Sequence, residues 1–126
     1  MGPRVLVADD SGTMRKIIIR SLNALGVTDV VEAADGEEAC VLFRQHQFDL
    51  VLTDWRMPHK SGLEVLESIR SSGSEVPVIL ITSESEKHRV LQAFQAGVSD
   101  YLPKPFDVAA LREKLETHLR STETQA

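Results

Sequence analysis

The sequence predicts an α/β fold, a five-stranded parallel sheet with helices on both faces. Short runs rich in Val, Ile and Leu alternate with longer segments of helical period along the 126 residues. Three of the short runs are nearly continuous in apolar residues, which is typical of strands covered on both faces. Alternation of this kind, repeated five times, indicates a doubly wound sheet with right-handed crossovers.

The strands are predicted from the short apolar runs. Their residues are largely β-branched or aliphatic, as buried strands of a parallel sheet require. The last run is the weakest of the five. In chain order the predicted strands are RVLVA (4–8), DVVEA (29–33), DLVLT (49–53), PVILIT (77–82) and DYLP (100–103).

The helices are predicted from segments that place apolar residues on one face. In the last of them Leu111, Leu115 and Leu119 recur every four residues, and Asp107 is placed to cap its amino end. A glycine follows the first and the fourth helix as a C-terminal stop. The predicted helices are 12–25, 36–46, 62–71, 85–96 and 108–120.

These five β–α units account for residues 1–120, which we predict to be one domain of the flavodoxin-like (β/α)5 type. Residues 121–126, STETQA, are polar and are predicted to form a C-terminal tail. Because no segment remains for a second domain, we expect the output of this domain to pass through a separate protein.

The composition narrows the class of protein. A formal net charge of −5 argues against binding to nucleic acid, which needs clustered Lys and Arg. Cys40 is the single cysteine, so an internal disulfide is excluded, and we expect a buried Cys40 in a protein of the reducing cytoplasm. No apolar run approaches the roughly 20 residues of a membrane span. A freely diffusing cytoplasmic monomer is therefore expected.

Polar residues stand at the carboxyl ends of four of the predicted strands. Asp9 and Asp10 come directly after the first, Asp54 after the third, Thr82 ends the fourth, and Lys104 follows the fifth. The carboxyl ends of parallel strands share one edge of the sheet, where ligands of such folds bind. The sequence therefore predicts a site of three carboxylates, a hydroxyl and an ammonium group.

The chemistry that suits this set is phosphoryl transfer onto a carboxylate. Clustered acids without His or Cys favour a hard cation, and Mg²⁺ fits better than Zn²⁺. Asp54 is the candidate nucleophile. Lys104 is the candidate partner of the carboxylate or phosphoryl oxygens, and Thr82 the candidate hydrogen-bond donor to the phosphoryl group.

At these residues the chain resembles the receiver domains of response regulators in two-component signalling. VADDS resembles the paired-acid motif, TDWRMP the phosphoacceptor motif, ITSES the switch-hydroxyl motif and YLPKPF the aromatic-plus-lysine motif. The resemblance covers essentially the whole chain. The segment TDWRMPHKSGLEVL is most similar to the single-domain chemotaxis type, which is called CheY-like.

The resemblance implies a role for each acidic residue. Asp54 would be the phosphorylated residue. Asp10, Asp54 and the backbone carbonyl of Arg56 would bind Mg²⁺ directly, and Asp9 would act mostly through water. The protein would be a phosphoacceptor that catalyses only its own phosphorylation and dephosphorylation, not an enzyme with an external substrate.

The resemblance also implies a switch. Thr82 would move to bond the phosphoryl group, Tyr101 would swing inward, and Lys104 would report the phosphoryl group to the last strand. In the family the Lys104–Pro105 peptide bond is commonly cis. The phosphoryl group would come from a histidine kinase, a phosphotransfer protein or a small acyl phosphate. The target would bind the face made by the fourth helix, fifth strand and fifth helix, roughly residues 85–120.

Arg56 and Glu84 lie two residues beyond Asp54 and Thr82, and this pair of positions varies within the family. Both would flank the path of the hydrolytic water. Our hypothesis is that Arg56 shields the acyl phosphate or pairs with Glu84, and so slows dephosphorylation.

Two other classes of protein stay open at this point. A Mg²⁺-dependent phosphatase with an aspartate nucleophile usually has a second acid two residues further, where this chain has Arg56, and a cap domain. A phosphorylation-independent interaction module on the same fold should have lost some of the acids, Thr82 or Lys104, all of which are intact here.

The role of several other residues also stays open. Trp55 is expected to be partly exposed near the site, with a packing role as the equal alternative. Tyr101 has a plain edge aromatic as its alternative role. The four histidines are expected to be surface residues without a metal role: His46, His59, His88 and His118.

Overall fold

The computed structural model describes residues 2–83 and 88–124. Within that part of the chain, five strands alternate with five helices, as the sequence predicts. The elements are β1 Arg4–Ala8, α1 Gly12–Ala24, β2 Asp29–Ala33, α2 Gly36–Gln45, β3 Leu50–Asp54, α3 Gly62–Ser71, β4 Val78–Thr82, α4 Val90–Gln95, β5 Asp100–Pro103 and α5 Val108–Thr124.

All strand pairs are parallel, and the strand order is β2-β1-β3-β4-β5. The predicted fold class is confirmed. The chain winds outward in one direction from β1 and in the other from β3, so the switch point lies between these two strands. Ala8 of β1 is opposite Thr53 of β3. The residues that follow them, Asp9 and Asp54, therefore emerge side by side in the crevice where such sheets bind ligands.

Helices cover both faces of the sheet and bury two apolar clusters. Successive residues of a strand point to opposite faces, so each central strand contributes to both clusters. Val5 and Val7 pack with residues of α1 and α5, whereas Leu6 and Ala8 pack with residues of α2 and α3. Burial on both sides explains why the apolar runs are nearly continuous. Cys40 is buried in the second of these clusters, as predicted.

Several element boundaries differ from the predicted ones by a few residues. β3 includes Asp54 as its last residue, whereas the predicted strand ended one residue earlier. The described part of α4 begins at Val90; residues 84–87 of the predicted helix lie outside the described residues. α5 continues to Thr124, beyond its predicted end, and the Asp107 carboxylate caps it by accepting a 2.9 Å hydrogen bond from the backbone N–H of Ala110.

Arg70 joins three separate segments at the end of the sheet opposite the predicted site. Its guanidinium donates to the carbonyl of Gly97 at 2.9 Å, to that of Val76 at 2.8 Å, and to Ser99 Oγ at 3.4 Å. Burial lowers the pKa of this group. The contacts tie the end of α3 to the α4–β5 connection and so fix the carboxyl end of α4.

Across residues 2–83 and 88–124, no helix has the length and apolar character of a membrane span.

Candidate functional site

Asp54 occupies the end of β3, where the sheet edge meets the crevice. The residue is 9% exposed. Its Oδ1 accepts a 2.8 Å hydrogen bond from the backbone N–H of Trp55, and its Oδ2 lies 3.4 Å from Lys104 Nζ. One carboxylate oxygen is thus held by the backbone, and the other faces a cation.

Asp9, Asp10 and Asp54 form an acidic cup, in which one carboxylate oxygen of each lies within 4.8 Å of the others. Asp10 is exposed, whereas Asp9 is 1% exposed. Asp9 Oδ1 accepts a 2.9 Å hydrogen bond from the backbone N–H of Ser11. Within the described part of the chain, its Oδ2 is buried without a hydrogen-bond partner and lies 3.9 Å from Lys104 Nζ. The crevice therefore collects the carboxylates that the strand ends predict.

The acidic cup is electrostatically unfavourable without a cation. Burial and, to a smaller extent, the negative charge of Asp9 together raise the pKa of Asp54 to about 6, and Lys104 offsets only part of this shift. Burial also raises the pKa of Asp9, although its hydrogen bond from Ser11 opposes the shift. An orphaned buried oxygen among hard oxygen donors is the environment that a small divalent cation satisfies. The residues present thus fit Mg²⁺, with Asp9, Asp10 and Asp54 as the acidic side chains that would hold it, directly or through water.

Thr82 and Lys104 come from the two strands on the other side of β3. Thr82 ends β4, is 2% exposed, and its carbonyl accepts a 2.7 Å hydrogen bond from the backbone N–H of Lys104. Ile81 pairs in register with Asp54, so Thr82 lies one residue beyond the level of Asp54. The Lys104–Pro105 peptide bond is cis. Both residues are therefore placed at the same sheet edge as the acidic cup.

The remaining predicted site residues have different surroundings. Tyr101, in β5, is half-buried, and its ring contacts Phe94 of α4 edge-on. Arg56 is exposed at the start of the β3–α3 loop, two residues after Asp54. Glu84 lies outside the described residues.

Trp55 is buried, although its polar neighbours in sequence led us to expect partial exposure. The residue is 3% exposed and packs in the apolar cluster under α2 and α3, which is the packing role we weighed as the alternative. Its backbone N–H donates to Ile81 O as well as to Asp54 Oδ1. The indole therefore anchors the residue after Asp54 in the core, and its ring is a built-in optical probe beside the acidic cup.

The β3–α3 loop, residues 55–61, lies directly against two glycines that begin helices. A Cβ at Gly36, at the start of α2, would overlap the carbonyl of Lys60. A Cβ at Gly62, at the start of α3, would overlap the carbonyl of Asp54. The absence of these two side chains thus sets the path of the loop that follows Asp54 and carries Arg56.

Sequence reasoning missed two groups of residues near these elements. Arg15 of α1 donates to the carbonyl of Asp9 at 2.7 Å and to Glu32 Oε1 at 2.9 Å, so it holds the backbone of the acidic cup. His118, expected on the surface, has a side chain only 15% exposed and contacts Asp100. The spacing of Lys114 and His118, one turn apart on α5, was the available signal for the second group.

Comparisons with known proteins agree with this geometry. A family model described as "Response regulator receiver domain" matches residues 5–116. The chain is 44% identical over 119 residues to "Chemotaxis protein CheY1" of Helicobacter pylori, covering 92% of this chain and 96% of that protein.

Solved structures are similar over nearly the whole chain. The receiver domain of a Francisella response regulator superposes with a TM-score of 0.88 at 30% identity, covering 96% of this chain and 99% of that one. The receiver domain of the sensor histidine kinase PA1611 from Pseudomonas aeruginosa has a TM-score of 0.84 at 31% identity, covering 94% and 98%. Its structure is described with a magnesium ion coordinated in the active site cleft.

Proposed function

This chain belongs to the response regulator receiver family, and we propose that it accepts a phosphoryl group from a histidine kinase or phosphotransfer protein onto Asp54. Members of this family are signalling proteins and not conventional enzymes. The observation that carries the proposal is the surroundings of Asp54, whose Oδ2 lies 3.4 Å from Lys104 within the acidic cup.

In the proposed reaction a carboxylate oxygen of Asp54 attacks phosphorus and forms the P–O bond of an acyl phosphate. The P–N bond to the donor imidazole breaks, or the P–O bond of a small acyl phosphate, and the electron pair leaves with the donor. The ammonium of Lys104 moves from pairing with the carboxylate to pairing with the new phosphoryl oxygens. Asp54 must be ionised to attack, so protonation at low pH should stop the reaction.

When bound in the acidic cup, Mg²⁺ would supply neutralisation of the charge between the carboxylates and the phosphoryl group. We propose that Asp10, Asp54 and the Arg56 carbonyl would hold it directly, and that Asp9 would act mostly through water. The orphaned Oδ2 of Asp9 supports this, since it needs a partner in the cup. The magnesium ion in the cleft of the related Pseudomonas receiver domain supports the same position.

We further propose that phosphorylation switches the face made by α4, β5 and α5, called the output face below. Thr82 would bond the phosphoryl group, and Tyr101 would move inward. The output face carries exposed apolar side chains, with Leu91 70%, Phe94 45% and Val108 37% exposed. Leu91 and Phe94 are one turn apart on α4, and exposed apolar clusters mark interaction sites. The target would be a separate protein, and the similarity to chemotaxis proteins favours a chemotaxis-type target over a phosphorelay.

Incubation with acetyl phosphate and Mg²⁺ tests the proposed function. We expect the mass of one phosphoryl group to appear on the peptide that contains Asp54, and we expect none in Asp54→Asn or without Mg²⁺. Asp107→Asn, which makes the same substitution at the exposed cap of α5, is the matched control and should be phosphorylated normally. Rapid hydrolysis of many phosphoesters would instead support the phosphatase class, and a chain without any adduct would be an inert interaction module.

Arg56→Asn is expected to shorten the lifetime of phosphorylated Asp54 by about two- to fivefold, the effect of losing about 0.5–1 kcal/mol of ionic shielding. The reason is that Arg56 lies near the start of the β3–α3 loop, two residues after Asp54. A long cationic side chain beside the acyl phosphate hinders the approach of water. Decay of the adduct after removal of acetyl phosphate measures the effect. Arg44→Asn, on α2, is the control. An unchanged lifetime in Arg56→Asn would show that the residue does not tune dephosphorylation.

The cytoplasmic location, the monomeric state and the absence of nucleic-acid binding stay predictions.

A further inference from the structure

Asp100, at the start of β5, has both carboxylate oxygens engaged by partners. Oδ1 accepts from Lys114 Nζ at 3.0 Å and from the backbone N–H of Tyr101 at 2.8 Å. Oδ2 lies 3.0 Å from His118 Nε2, and because a carboxylate only accepts, that nitrogen must carry the proton. Lys114 and His118 project from successive turns of α5, so the carboxylate spans from β5 to two points of the helix.

This cluster is partly withdrawn from solvent. The side chains of Asp100, Lys114 and His118 are 21%, 23% and 15% exposed. Burial would raise the pKa of the Asp100 carboxyl, but the hydrogen bonds from His118 and Lys114 outweigh it and hold the pKa below its usual value. Asp100 is therefore ionised at neutral pH and keeps the Lys114 ammonium in one place.

Asp100 keeps the Lys114 ammonium over the ring of Tyr101. Its Nζ lies 5.7 Å from the ring centroid, within the range of a cation–π interaction. Phe94 meets the same ring edge-on, with centroids 6.3 Å apart and an interplanar angle of 89°. The ring of Tyr101 is thus in contact both with Phe94 of α4 and with an ammonium that Asp100 orients.

We propose that Asp100, Lys114 and His118 form an ionic latch that keeps Tyr101 between α4 and α5 and so sets the population of the active conformation before phosphorylation. The latch rests on the proposed function, since it regulates the aromatic switch proposed there. An inward movement of Tyr101 must break the contact with Lys114. Lys114 and Asp100 are positioning residues, and they act on the phosphorylation site through Tyr101.

Loss of the Lys114 charge should raise the active population about two- to tenfold, the range expected for a partly exposed cation–π contact. A phosphoryl analogue that binds only the active conformation gains apparent affinity by the same factor. Lys114→Met keeps the aliphatic stem and removes the charge. Asp100→Asn leaves the charge and frees the ammonium, so it should act in the same direction.

Tyr101 is the only tyrosine of the chain, so incorporated fluorotyrosine yields a single ¹⁹F signal from the switch itself. We expect Lys114→Met and Asp100→Asn to move this signal toward the position that the wild type reaches with beryllofluoride and Mg²⁺. Both should bind beryllofluoride more tightly, and the double variant should differ little from either single one. Lys114→Arg, which keeps a cation over the ring, should stay close to wild type.

Arg112→Met is the matched control, because it removes the same charge from the same helix on the side that faces Leu25 and Val27. It should change neither the signal nor the affinity. A wild type that responds to beryllofluoride, together with a Lys114→Met protein of unchanged signal and affinity, would overturn the latch alone. A folded wild type that does not respond to beryllofluoride at all would instead overturn the proposed function. In that case the ¹⁹F shift between the wild type and Lys114→Met, both without beryllofluoride, would still test the contact between Lys114 and Tyr101.

Discussion

Replacement of Asp54 by asparagine is expected to raise the free energy of unfolding of the metal-free protein at pH 7 by about 3 kcal/mol. The folded state raises the pKa of this carboxyl from 3.8 to about 6, because burial disfavours the anion and Asp9 repels it. The wild type must hold an unfavourable charge at pH 7, whereas asparagine has the same shape without it. Urea unfolding in the presence of a chelator measures the difference.

The same rise in the pKa of Asp54 determines whether stability increases or decreases with pH. Between pH 3.8 and about 6 the folded protein holds the Asp54 proton and the unfolded chain releases it. Stability therefore falls as the pH rises through this window, and the contribution of Asp54 is constant above it. Asp54→Asn should lack this part of the decline in a series of unfolding curves from pH 4 to about pH 7.

Asp107→Asn separates this effect from a general benefit of lowering the negative charge of the chain. Asparagine caps helices about as well as aspartate, so this exposed control should change stability by less than about 1 kcal/mol. Saturating Mg²⁺ binds only the folded cup and should stabilise the wild type more than Asp54→Asn. A variant that is less stable than the wild type in chelator would contradict the electrostatic account of the site.

The strand ends are the part of the site that local sequence patterns predict well. An apolar run followed by an acid indicates both Asp9 and Asp54, because in a two-sided parallel sheet the first polar residue after a strand marks its carboxyl edge. The structure adds what no local pattern contains, namely that β1 and β3 are neighbours. Because these two strands are adjacent, Asp9 and Asp54 lie in one acidic cup, which Lys104 reaches from the end of β5.

The exposure of a side chain could not be predicted from its neighbours in sequence where distant segments pack against it. Trp55 stands among polar residues, yet its ring packs in the core because α2 and α3 cover that face of the sheet. His118 lies on a polar stretch of α5, yet its partner is Asp100, 18 residues earlier, at the start of a strand. In both cases packing between elements, which local periodicity does not describe, decides the exposure of the side chain.

The close approach of the β3–α3 loop to two helix starts is a further tertiary feature, and it leads to an expected loss of stability. Alanine at Gly36 or at Gly62 should each lower the free energy of unfolding by about 3 kcal/mol or more. At both positions the added Cβ would overlap a backbone carbonyl, that of Lys60 or that of Asp54. Backbone cannot rotate away as a flexible side chain can, so the loop or the helix must move.

Gly12 is a matched control for this pair, because Gly12, Gly36 and Gly62 are each the first residue of a helix. A Cβ at Gly12 would lie 3.5 Å from Arg15 Nη2, which is an ordinary van der Waals distance and requires no movement. Gly12→Ala should therefore be neutral or stabilise the protein by up to about 1 kcal/mol through the lower entropy of its unfolded chain. Urea unfolding of the three alanine variants compares the same substitution at the same helical position.

The same displacement should reach the chemistry of the site, because the β3–α3 loop joins Asp54 to the Arg56 carbonyl. We expect Gly36→Ala to bind Mg²⁺ more weakly than Gly12→Ala under conditions in which both are fully folded. The only tryptophan, Trp55, adjoins Asp54, so its fluorescence during a Mg²⁺ titration reports the cup directly. A folded Gly36→Ala protein with wild-type affinity for Mg²⁺ would show that the start of α2 supports the loop without setting the metal geometry. Weaker binding would mean that a helix on the far side of the loop tunes the site through a single missing side chain.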